Sequence, residues 1–122
     1  MLSNVRTLLL ADPTFTGLVG SKVYPQTIPQ EAQIPLVLLE QTARNAIESK
    51  DSVGGLDSVD FSVTVFAANY DTAETICEQA RTVLDDHEDS EIIQLRFANE
   101  QNRWEPSPQV FTKTYGFKAL QK

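Results

Sequence analysis

Two stretches of this sequence gather side chains that can do chemistry. In "LDDHEDSE" (residues 84–91) the only histidine, His87, stands among Asp85, Asp86, Glu88, Asp89 and Glu91. Carboxylates and an imidazole suit a divalent cation or acid–base work. A hard-cation loop, however, fixes its ligands around a turn-permitting glycine, and this stretch has none. A solvated helix end and loop is the expected reading, with no metal. The nearest thiol, Cys77, lies ten residues away, so neither a Cys–His pair nor a Ser–His–Asp triad takes shape.

The second stretch is "AANYDTAE" (residues 67–74), where an alternating apolar pattern hands over to a helical one. A nucleotide-binding crossover needs glycines at such a turn, so that backbone amides reach a phosphate. Here there is no glycine, and Asp71 and Glu74 occupy the anion-binding end, where they would repel a phosphate. No active site and no cofactor are expected. Trp104, in "NRWEP", has two readings: a lid over the core edge, or an anchor at an interface, where Trp and Arg are favoured.

The 122 residues fit one domain with one core. Apolar residues make up 41% and charged residues 22%, as in ordinary folded domains. Ten basic against seventeen acidic side chains give a net charge of −7. That balance argues against gripping nucleic acid through its phosphates, though not against standing beside DNA as it passes. No apolar run is long enough to span a bilayer, and the N-terminus lacks a secretory pattern, so cytoplasmic synthesis is expected. The single cysteine, Cys77, excludes an intrachain disulfide and a cysteine zinc site. Between Ile76 and Ala80 it reads as a small buried hydrophobe rather than a reactive thiol.

The elements that position these residues follow from periodicity. Val5, Leu8 and Leu9 mark a short amphipathic helix that ends at Asp12-Pro13. Asp12 then caps a second short turn, with Phe15, Leu18 and Val19 buried and Gly20 as its stop. Residues 22–35 hold three prolines and read as a short extended piece followed by loop. "LVLLEQTARNAI" begins a strand, and the polar, Gly-Gly-bearing residues 48–58 read as a flexible arm within a long hairpin. Val59, Phe61, Val63, Val65 and Ala67 share one strand face, with Asp60, Ser62 and Thr64 on the other. Asp71 is the expected N-cap of the next helix, with Glu74 completing a capping box. The apolar stripe of that helix is Ala73, Ile76, Cys77, Ala80, Val83 and Leu84. Two strands close the chain, the first alternating Ile93, Leu95 and Phe97, the second Phe111, Tyr115 and Phe117, with "NRWEPSP" as a turn between them. The fold class is therefore α+β, a mostly antiparallel β-sheet with helices packed on one face.

In this order the chain resembles the tail-completion (tail-terminator) proteins of long-tailed bacteriophages and prophages. The resemblance runs from "LLLADPTFTGLVGSKVYP" through "IPLVLLEQ" and "SVGGLDS" to "DSVDFSVTVFAANYDTAETICEQARTVLDD" and "RWEPSPQVFTKTYGFKAL". It implies a structural virion protein of the neck, without catalytic residues or cofactor. It further implies a hexameric ring on the end of the tail tube, which stops tube polymerisation and joins the head–tail connector while DNA passes without specific binding. The same reading makes Glu48, Lys50, Asp51 and Asp57 of the arm, Phe66 on the second sheet face, and Arg103 with Trp104 the candidate assembly interface. A connector protein of the same neck, or a cytoplasmic α+β binding module, are the alternatives.

Overall fold

The structure, a computed structural model, describes residues 2–47, 56–105 and 110–121. In chain order these form α1 (Leu2–Leu10), α2 (Pro13–Val19), β1 (Val23–Pro25), β2 (Leu36–Ile47), β3 (Leu56–Ala67), α3 (Tyr70–Leu84), β4 (Ile92–Glu105) and β5 (Val110–Gln121). The strands make one sheet in the order β1-β2-β3-β5-β4. Only β1 runs parallel to its neighbour; β2–β3, β3–β5 and β4–β5 are antiparallel. The expected α+β class is the observed one, and the expected extended piece is β1. The arm, however, is shorter at its C-terminal side than the sequence suggested. Leu56, Asp57 and Ser58 already pair with Ile47, Ala46 and Asn45, so backbone pairing claims them for β3.

Period-two patterning decides which sheet face is dry. Val59, Phe61, Val63, Val65 and Ala67 are buried on β3, and so are Tyr115, Phe117 and Ala119 on β5. The rings of Phe61 and Phe117 stack at 5.4 Å across the two strands, the kind of cross-strand pair that stabilises a sheet. Over this face lies α3, whose stripe of Ala73, Ile76, Cys77, Ala80 and Leu84 is buried. Val5 and Leu9 of α1 and Phe15 and Val19 of α2 extend the same core.

Asp12 ties these helices together. Its carboxylate accepts from Phe15 N at 3.0 Å, capping α2, and from Gln79 Nε2 of α3 at 2.8 Å. Gly20 stops α2 at φ 64°, a left-handed backbone that glycine adopts without strain. Arg6 of α1 donates through Nε to the carbonyl of Val23 at 2.9 Å, fixing the helix over β1.

Three local expectations differ from what forms. The cap of α3 is Asn69, not Asp71: its extended backbone lets Oδ1 accept from Thr72 N at 2.9 Å. Asp71 falls inside the first turn, and Glu74 accepts from Tyr70 Oη rather than closing a capping box. On β4, register shifts between Ile92 and Gln94 and between Phe97 and Asn99 break the simple alternation. Ile92 is therefore buried, while Ile93 is 36% exposed. The strand also runs on to Glu105, so Arg103 and Trp104 pair with Thr112 and Phe111 instead of sitting in a turn. Each bulge inserts one residue and flips the phase behind it.

Because Asn69 satisfies an otherwise orphaned amide, Asn69→Ala is expected to lower stability by about 1 kcal/mol. Asp71→Ala, outside the cap position, should cost clearly less. Urea unfolding of the two variants side by side measures the difference.

Candidate assembly interface

The acidic segment after α3 builds a turn. Asp85 accepts from Phe97 N at 3.0 Å, and Asp89 Oδ1 accepts from both Glu91 N and Ile92 N at 2.8 Å. Those amides, followed by the contact with His87 Nε2 at 2.9 Å, hold the Asp89 carboxyl below its usual range. Asp86 pairs loosely with Arg96 at 3.6 Å. The carboxylates thus serve the backbone, and among the described residues no His/Cys/Asp/Glu group is arranged to hold a metal ion. Cys77 is buried, and burial pushes its thiol up to about 12, leaving it protonated and unreactive.

Of the candidate interface residues, Glu48, Lys50 and Asp51 lie outside the described residues, and the other four separate into two ends of the sheet. Asp57 is at one end, gripped by Arg44 through Nη2 at 2.6 Å and Nε at 2.8 Å. Phe66, Arg103 and Trp104 are at the opposite end, about nine strand residues or roughly 30 Å away. Phe66 and Arg103 both flank Thr112 in register and so share the face turned away from the helices. Trp104 is on the other face, beside Phe111. The four described residues do not form a single site.

Among the described residues no helix covers the face turned away from α3, and it is largely polar. It bears a shallow concavity of about 400 Å³, lined by Asp60, Ser62, Asn99, Thr114, Gly116 and Lys118 among others. Thr64 and Thr114 bond through their hydroxyls at 3.1 Å, and Thr64 is 6% exposed even on this open side. The Asn99 amide lies over Gly116; a Cβ there would come to 2.5 Å from Asn99 Oδ1, so the Asn99 side chain would have to move. This face is a hydrogen-bonding surface.

Comparison with known proteins agrees with a structural part. The family model described as Tail completion protein gp17 matches residues 3–122. This chain belongs to that family. A chain of the solved structure titled "Virion of native gene transfer agent (GTA) particle" has the same fold: TM-score 0.75, 19% identity, 96% of this chain and 90% of that chain covered. No match was found among curated protein sequences. As a tail completion protein the chain is a structural component of a virion tail, and among the described residues no helix is long and apolar enough to cross a membrane.

The residues that sequence reasoning passed over lie beneath Trp104. Lys113, on the helix-facing side of β5, is 1% exposed. Its Nζ meets Glu100 Oε2 at 2.8 Å and Asn102 Oδ1 at 3.1 Å, and stands 4.8 Å from the Tyr70 ring centre. Burial alone would lower its pKa, but the Glu100 hydrogen bond and charge outweigh that and raise it. The Glu100 carboxyl is held below its usual range by the same bond. One strand step away, Tyr115 donates its hydroxyl to Glu78 of α3, and burial followed by that bond raises the phenol's pKa. A signal was present, since Lys113 occupies the core slot between Phe111 and Tyr115. Without knowing where Glu100 falls after the bulge, its partner was invisible.

Two outcomes follow from this pair. Lys113→Met keeps the volume and leaves Glu100 in water, so it should stay within about 1.5 kcal/mol of the wild type. Lys113→Ala opens a cavity and should lose about 2 kcal/mol or more; chemical denaturation separates them. Because the folded pKa of Glu100 is depressed, its contribution is present above the ordinary value of 4.5 and fades as pH falls through the lower folded value. Melting of Glu100→Gln should therefore lie below wild type at neutral pH and approach it on acidification.

Proposed function

We propose that this protein assembles as a six-membered ring on the end of the tail tube, halts tube polymerisation there, and presents the joining surface for the head–tail connector. The observation that carries this reading is membership of the tail completion family across residues 3–122. The chemistry of the chain is consistent with it. The two ends of the sheet differ, one bearing the Arg44–Asp57 pair and the acidic turn, the other bearing aromatic rings. A protein between two different partners needs two such unlike surfaces. Glu48, Lys50 and Asp51 would meet one neighbour and Arg103 with Trp104 the other, while Phe66 on the open face is available to an adjacent copy. The net charge of −7 keeps DNA from adhering to a ring through which it passes.

The test is electron microscopy of cognate tail tubes assembled with and without the protein. With it, tubes should have defined ends capped by a ring with six-fold end-on views. Tubes that keep growing without limit in its presence would refute the reading.

A further inference from the structure

The end of the sheet where α3 begins carries two exposed aromatic rings beside a third that packs at the edge of the core. Trp104 is 50% exposed and Tyr70 is 44% exposed. Phe111 joins them: it is the cross-strand partner of Trp104, and its ring meets that of Tyr70 edge-on at 5.2 Å. All three stand on regular elements, the first turn of α3 and the paired ends of β4 and β5. From below, the buried Lys113 holds Tyr70 and the Glu100 strand in place. Exposed aromatic rings already fixed in position are the composition of an interface anchor, because little side-chain freedom is lost on docking.

The charges around the rings select the partner. Glu74 holds the Tyr70 hydroxyl at 3.2 Å, and Asp71 is exposed one residue along the same turn. The ammonium that stands over the Tyr70 ring, that of Lys113, is 1% exposed and already paired with Glu100. The start of α3 contributes about half a positive charge, which two carboxylates more than offset. Exposed Tyr and Trp faces attract lysine and arginine side chains, and the carboxylates of Asp71 and Glu74 stand at the same end of α3.

We propose that Tyr70, Phe111 and Trp104, with Asp71 and Glu74, form the surface that docks a Lys- or Arg-bearing protein surface at the end of the tail tube. The proposal rests on the reading that the protein sits on the tube, and names the contact and its chemistry.

The experiment is cosedimentation of the full chain with purified, uncapped cognate tail tubes, at salt from about 0.05 to about 0.5 M. The double variant Tyr70→Ala/Trp104→Ala is expected to bind at least about tenfold more weakly. Asp71→Asn/Glu74→Gln keeps the rings and hydrogen-bond acceptors; it should bind several-fold more weakly at low salt and converge with wild type as salt rises. Circular dichroism melting checks the fold, and if the aromatic pair melts early, Trp104→Gln alone carries the comparison. Wild-type binding that either double variant matches within about twofold at every salt overturns the proposal while leaving the tube-end reading intact. A variant that binds tubes normally but no longer self-associates also overturns it, by assigning the rings to a second copy. Failure of the wild type to bind tubes overturns the tube-end reading and this contact with it.

Discussion

Everything in this protein depends on keeping one face of β3 and β5 dry. Val59, Phe61, Val63 and Val65, opposite Tyr115, Phe117 and Ala119, present apolar surface that a solitary sheet would leave in water. Burying each of the larger side chains contributes about 1.5 to 3 kcal/mol. The cover is α3, and its position is not free: Asn69 starts it immediately after β3, and Asp12 links it to α2. With α3 in place, the other sheet face is left polar and open, and the two ends of the sheet become chemically distinct.

The same requirement accounts for the least expected residue in the core layer. Lys113 stands in a slot that the alternation of β5 reserves for an apolar side chain. Its ammonium stands over the rings of Tyr70 and Tyr115, and its charge is met by Glu100 and Asn102 from β4. Arg81 lies 3.9 Å over the Phe97 ring, and Tyr115 binds Glu78. The layer between α3 and the β4–β5 hairpin is therefore a mixed polar and aromatic one. Such a layer specifies the hairpin's position more sharply than an aliphatic one, because each buried donor has to find its acceptor. It also holds Tyr70, Phe111 and Trp104 still at the surface.

A structural tail protein needs no reactive group, and the chemistry of this chain is consistent with that. The thiol is buried and protonated, the imidazole is engaged with Asp89, and the acids after α3 accept backbone amides. The surface offers shape, hydrogen-bonding capacity and charge, which are the means by which a structural part assembles.

The sequence by itself determined the strand faces, the helix stripe and the helix stops, because periodicity and capping are local and need no knowledge of neighbours. Val59 through Ala67, Ala73 through Leu84, and the Asp12-Pro13 break were all legible in this way. So was the buried cysteine. Tertiary structure alone decided the rest. Asn69 took the cap from Asp71 because the strand delivered it with extended backbone. Bulges in β4 exchanged Ile92 for Ile93 and carried Glu100, Asn102 and Trp104 to the helix side. Pairing with β5 drew Arg103 and Trp104 out of a turn and into a strand. No periodic pattern announces a one-residue insertion, yet each one re-aims every side chain behind it, and that is how Lys113 met its carboxylate and Trp104 its aromatic neighbours.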